Sequence, residues 1–272
     1  MRYKSVTTIF FSILLLSFTI SLYLLYIREG SWYFYILPFA IITIALLIFK
    51  SPIDRYFFRF QNVGFDDKIK GMLQLEYPVI AEYSKEKQNE FYDRMFYFMY
   101  ERECYLVTGE TGELDLYHSL IINAAGVILG MDGPVDEARD VERIVAYNHP
   151  FPSPKMKFIH AAEYDEEDGV IIVSLEQMVI SQRKPDEFFP INYFLWAERK
   201  VANQEGFPDI PSGFIEKFEE VWGFTQKSAE AFMGYEFGNF PSIAICAYVM
   251  RKEKMQELFP GFLSEIKNYM SA

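Results

Sequence analysis

Two stretches near the start of the chain constrain it more than anything else. Residues 7–27, TTIFFSILLLSFTISLYLLYI, and residues 31–49, SWYFYILPFAIITIALLIF, hold 21 and 19 positions without a formal charge, parted only by Arg28-Glu29-Gly30. At about 1.5 Å per residue, each run predicts a helix about long enough for a ~30 Å hydrocarbon core. The expectation is therefore a transmembrane hairpin over residues 1–50, with spans at about 7–27 and 31–49. The first run is too long for a secretory h-region and lacks a small-x-small cleavage site, which argues against a removable leader. Trp32, Tyr33 and Tyr35 suit an interfacial belt. Arg2 and Lys4 precede the first run, and Lys50, Arg55 and Arg59 follow the second. Positive flanks favour the cytoplasmic side, so the prediction is an integral membrane protein of the inner or plasma membrane. Its N-terminus and its large C-terminal domain would be cytoplasmic, with the lipid bilayer as one partner. No Asp, Glu, Lys, Arg or His falls inside the runs, so they predict an anchor rather than an ion path.

Beyond residue 50 the chain carries 22 basic and 37 acidic residues, a formal −15, which excludes a generic binder of nucleic acid. A 51% hydrophobic and 18% aromatic composition excludes a disordered chain. Cys104 and Cys246, far apart and without CxxC spacing, exclude a disulfide scaffold and suit free thiols in a reducing compartment. Residues 51–66 form an aromatic, basic juxtamembrane connector, and residues 67–272 one domain. Phe91, Met95, Phe96, Phe98 and Met99 recur at helical spacing, and LYHSLIINAAGVIL (116–129) is apolar almost all round, as a buried helix is. CYLVTGETGE (104–113) is a connector between them. ERIVAY (142–147), KMKFIHA (155–161) and VIIVSL (170–175) carry strand character. Helical pieces follow near 191–204, 212–222, 227–233, 240–252 and 261–270. Helices, a small sheet, then helices make an α+β domain.

The chemistry-bearing residues are sparse. His118, His149 and His160 form no HxxxH pair, and His160 and Glu163, three apart on a predicted strand, should point to opposite faces. The acidic run at 163–168 fails calcium-loop spacing and suits the tip of an Asp168-Gly169 hairpin. There is no GxxxxGK[ST], GxGxxG or GxSxG. No catalytic residue, metal ligand or cofactor is predicted.

In the order of its segments the chain resembles the zinc-dependent metallopeptidases that include the Mlc titration factor. The likeness covers about 180 residues and rests on LIINAAGVILG (120–130), ERIVAYNHPF (142–151), GVIIVSLEQMV (169–179), NFPSIAICAYVM (239–250) and FPGFLSEIKNYM (259–270). It implies a zincin-like domain, a small sheet packed by helices, whose zinc helix would be PINYFLWAERKVANQ (190–204). Aligning Asn192 with that family's Asn sets Trp196-Ala197-Glu198-Arg199-Lys200 over H-E-x-x-H. Trp196 and Lys200 then replace the two imidazoles, Ala197 the glutamate base, and Cys246 the third, carboxylate ligand. The resemblance thus implies a degenerate site at Trp196, Ala197, Lys200 and Cys246, either collapsed into core or open as a groove. The function it implies is a membrane-anchored, catalytically inactive metallopeptidase-like protein that binds a protein or peptide. Two alternatives stand beside it: a zinc-dependent or other peptidase with a displaced site, and a membrane structural or sensory protein.

Overall fold

The computed structural model describes residues 6–27, 33–49, 53, 64–100, 102–108, 110–134 and 138–272. The chain divides into two compact units, Met1–Phe65 and Asp66–Ala272. The first carries α1 (Val6–Ile27) and α2 (Tyr33–Ile48), with Phe18 stacked on Phe39 at 3.7 Å between ring centroids. Among the described residues no helix is long and apolar enough to cross a membrane. That finding corrects the two-span transmembrane hairpin, and with it the integral-membrane placement with a cytoplasmic domain. A hairpin needs two spans, and the 16 residues of α2 reach only about 24 Å against a hydrocarbon core of about 30 Å. The basic flanks at Arg2, Lys4, Lys50, Arg55 and Arg59, on which the orientation rested, lie outside the described residues.

The second unit is α+β. Its helices are α3 (Asp67–Glu76), α4 (Val79–Glu82), α5 (Lys85–Tyr100), α6 (Leu116–Leu129), α7 (Leu175–Arg183), α8 (Ile191–Asn203), α9 (Phe218–Trp222), α10 (Gln226–Met233), α11 (Phe240–Met250), α12 (Lys252–Leu258) and α13 (Pro260–Ser271). The strands are β1 (Glu103–Thr108), β2 (Glu110–Glu113), β3 (Arg143–Tyr147), β4 (Ala162–Asp165) and β5 (Val170–Ser174), in sheet order β2-β1-β3-β5-β4. β1, β3 and β5 run parallel, and β2 and β4 close the two edges antiparallel. Parallel neighbours cannot be joined by a tight turn, so α6 lies in the crossover from β1 to β3. The connector predicted at 104–113 is in fact the β1–β2 hairpin. Its alternation is masked by Thr, Gly and Glu at the sheet edge.

α6 begins at Asp115, whose carboxylate accepts the backbone N–H of His118, and ten of its residues are buried. α8 packs between α6 and α11. Every position from Ile191 to Ala197 is buried, so the first two turns of α8 bury all sides. Phe189, Phe194, Trp222 and Phe237 meet at centroid distances of 4.8–5.9 Å and close the core below it. At the far edge, the Asp165 carboxylate accepts the N–H groups of Glu167 and Asp168. Gly169 then turns the hairpin at φ +60, where an added Cβ would strike Asp140 O.

Candidate functional site

α8 carries three of the four residues of the implied degenerate site. Trp196 is 3% exposed and donates its Nε1–H to Ile122 O at 2.7 Å. Its ring lies on Gly126 of α6, where an added Cβ would stand 2.7 Å from Trp196 Cδ2. The Phe98 ring is 5.0 Å away, and the Arg102 guanidinium sits 5.2 Å over the indole. Ala197 is fully buried. Lys200 is half-buried, its Nζ 5.8 Å from the Tyr269 ring on α13. Cys246 is fully buried on α11, and burial foremost, then the charge of Glu198, pushes its thiol well up. Positions 196 and 198 are roughly 200° apart around a helix. Trp196 therefore faces α6, while Cys246 interacts with Glu198 on another side, and Lys200 lies beside α13. Trp196, Ala197 and Cys246 are closed into the core, and Lys200 alone of the four is part-exposed.

What α8 does bring together is a set of acids. Glu198 is part-buried where α8 packs on β4. Desolvation first, and the charge of Glu163 second, push its carboxyl up to about 8. Glu163 is 3% exposed and His160 1%. His160 Nε2 lies 3.1 Å from Glu163 Oε2, and Nδ1 lies 2.9 Å from Phe158 O. A carbonyl only accepts, so Nδ1 donates to it, and one proton is held between Nε2 and the carboxylate. Tyr235 completes the group: burial, then Glu198 and Glu163, raise its phenol well above the ordinary value. Among the described residues no three His, Cys, Asp or Glu side chains are placed to hold a metal ion.

The sequence argument set His160 and Glu163 on opposite faces, and the structure corrects it. Alternation holds only within a continuous strand, and the strand begins at Ala162. His160 belongs to an isolated bridge with Phe151, and the chain bends at Ala161. The other histidines are ordinary by comparison: His118 bonds Asp115 at 2.5 Å and His149 bonds Glu176 at 2.9 Å, the latter on the surface.

An open groove of about 800 Å³ lies between α4–α5 and the α11–α12 junction. Val79, Ile128 and Val249 line it together with Tyr83, Asp132 and Tyr248. Lys87 Nζ is 2.9 Å from Asp132 Oδ1 and 4.7 Å from the Tyr83 ring centroid, and Tyr248 donates to Asp132 Oδ2 at 3.2 Å. Burial, then the Asp132 charge, pushes both phenols up to about 12. Burial also works to raise the Asp132 carboxyl, but the Lys87 ion pair and the Tyr248 hydrogen bond outweigh it and hold it low. The groove thus offers two phenol groups, the carboxyl groups of Glu82, Asp132 and Glu253 and the amines of Lys87 and Lys252, beside the apolar Val79, Ile128, Leu129 and Val249.

The sequence matches no family model and no curated protein.

Proposed function

We propose that this chain is a catalytically inactive, metallopeptidase-like protein that holds a protein or peptide segment without cutting it. The observation that carries the reading is the commitment of Trp196. Its single N–H is spent on Ile122 O, its ring is packed on Gly126, and an indole has no lone pair for a metal. Ala197 supplies no base beside it. The resemblance to the zinc peptidases places their first imidazole and glutamate at these two positions, so the chemistry of metal-activated water has no residues to run on there. The groove beside Tyr83 and Tyr248, where two phenols and four aliphatic side chains stand among charged groups of both signs, supports a peptide-holding surface.

One observation favours a second reading, a hydrolase with a displaced site. Glu198, its carboxyl pushed up to about 8 by burial and then by the Glu163 charge, acts beside the His160–Glu163 pair, and a carboxyl held up in this way is a frequent mark of acid–base sites. The full chain separates the two readings. Under the first, elemental analysis finds no stoichiometric zinc, and mixed peptide substrates stay intact. Selection from a displayed peptide library then yields sequences whose binding falls at least tenfold in Tyr83→Ala and Tyr248→Ala. Cleavage abolished by a chelator or by Glu198→Gln would overturn it.

A further inference from the structure

A second cavity, of about 280 Å³, lies where the α3–α4 turn, the end of α7, the start of α8 and the end of α11 meet. Val79 and Val249 line both this cavity and the groove beside Tyr83 and Tyr248, so the two adjoin across those half-buried side chains. The groove, at about 800 Å³, has the volume of a ligand site, about 300–1,000 Å³. The smaller cavity falls short of that range and suits a single side chain.

That side chain is apolar. Pro78, Val79, Pro185, Pro190 and Met250 stand in the wall, and the three prolines bring no N–H. Three polar wall residues are engaged within the protein. Ser181 donates to Met178 O at 2.9 Å, Gln182 donates to Glu76 O at 2.5 Å, and the Glu76 carboxylate accepts the Tyr117 hydroxyl at 2.8 Å. Leu75, also in the wall, is 79% exposed, which leaves apolar surface for a bound segment to cover.

The groove, by contrast, is short of a cation. Its three carboxyl groups, on Glu82, Asp132 and Glu253, face only the amines of Lys87 and Lys252. Asp132 takes Lys87 as an ion pair at 2.9 Å and is also held low by the charge of Lys252. Glu82 and Glu253 are exposed, and among the described residues neither has an ion-pair partner. Glu82 follows Val79 by three residues on α4, which sets it on the same face about 5–6 Å away. In an extended chain, side chains two positions apart share a side and stand about 6.5–7 Å from each other.

We propose that the segment held here is an extended peptide with an apolar side chain of leucine size in the smaller cavity and a basic residue two positions away that meets Glu82. Glu253 supplies a second carboxylate from the α12 wall, and the formal −15 beyond residue 50 favours the approach of a basic partner. The proposal rests on the peptide-holding reading and adds the class of peptide to it.

The test uses the full chain with methionine methyl groups labelled for NMR, so that Met250 reports the smaller cavity. Four acetylated, amidated pentapeptides serve as probes: Arg-Ala-Leu-Ala-Arg, Gln-Ala-Leu-Ala-Gln, Glu-Ala-Leu-Ala-Glu and Arg-Ala-Ala-Ala-Arg. A basic residue on each side of the leucine serves either chain direction. The first is expected to shift the Met250 signal saturably. It should bind at least threefold more tightly than the glutamine peptide, and at least tenfold more tightly than the glutamate or the alanine peptide. The paired variant Glu82→Gln, Glu253→Gln alters two exposed side chains, should keep the circular dichroism, and should erase the preference for arginine over glutamine. Equal binding of the arginine and glutamate peptides, equal binding of the leucine and alanine peptides, or an arginine preference that survives in the paired variant overturns the proposal. So does the lack of any saturable Met250 shift. Failure of the underlying reading looks different: no peptide, library-selected ones included, then binds in a way that Tyr83→Ala or Tyr248→Ala weakens, and the proposal falls with it. Selected peptides that respond to those two variants but carry no apolar residue two positions from a basic one overturn the proposal alone.

Discussion

Replacing Glu198 by Gln tests the acid cluster through stability. The folded chain holds the Glu198 proton up to about pH 8, whereas an unperturbed glutamate releases it near 4.5. A folded-state affinity above the unfolded one means that stability is greatest below the lower value. It is lost progressively as pH rises from about 4.5 to about 8, and is level beyond. At about 1.4 kcal/mol for each tenfold in proton affinity, the full gap caps the loss near 5 kcal/mol. Glu198 keeps part of its surface open to solvent, and water screens such a group, so the working figure is about 2–3 kcal/mol. Glutamine has the same shape and no charge to desolvate. Urea unfolding of parent and Glu198→Gln should therefore nearly coincide at pH 4.5, and the variant should be about 2–3 kcal/mol more stable at pH 9. Glu163→Gln removes the smaller, electrostatic cause and should recover only part of that gain. A parent-to-variant gap that stays constant across this pH range would refute the desolvated site.

Two further outcomes follow from the packing around α8. Gly126→Ala should destabilise the chain by about 1–3 kcal/mol in urea, although alanine is the better helix former, because its Cβ would stand 2.7–2.8 Å from Trp196 and Phe98. Equal or higher stability would mean that the indole is loosely seated. Arg199 bonds Asp140 through Nε at 2.8 and 3.0 Å. Burial acts to raise the Asp140 carboxyl, but the Arg199 hydrogen bonds and charge outweigh it and hold it below the ordinary 3.8. A depressed acid contributes stability above 3.8 that is lost as pH falls through its folded value. Arg199→Gln should cost about 1–2 kcal/mol at pH 7, and the difference should shrink at pH 3.

Much of the local structure is written in local patterns. The all-round apolar character of 116–129 predicts a buried helix, and Asp168-Gly169 predicts the hairpin turn between β4 and β5. The runs 142–147 and 170–175 correspond to β3 and β5. The misses have local causes. In 155–161 the β-favouring residues Phe158 and Ile159 are exposed at 52% and 65%, and the strand forms one step later, at 162–165. Exposed apolar residues in a loop look like strand residues to any periodicity argument. Leu175–Arg183 continues the β5 run directly as α7, so an apolar stretch that changes period midway was legible only for its first half.

The candidate sites divide the same way. Composition, the absence of an HxxxH pair and the presence of Trp196, Ala197 and Lys200 in one helical run are properties of the chain alone. They limit what metal chemistry those positions can perform however the chain folds. The proximity of Glu198 to Glu163, the turn that brings His160 to Glu163, the direction of the Trp196 indole and the meeting of groove and cavity at Val79 and Val249 are decided only by tertiary structure. Periodicity tells which face of a helix leaves water, but not which neighbour it meets. Proton affinity and hydrogen-bond pairing depend on that neighbour, through distances and desolvation that no run of residues encodes by itself.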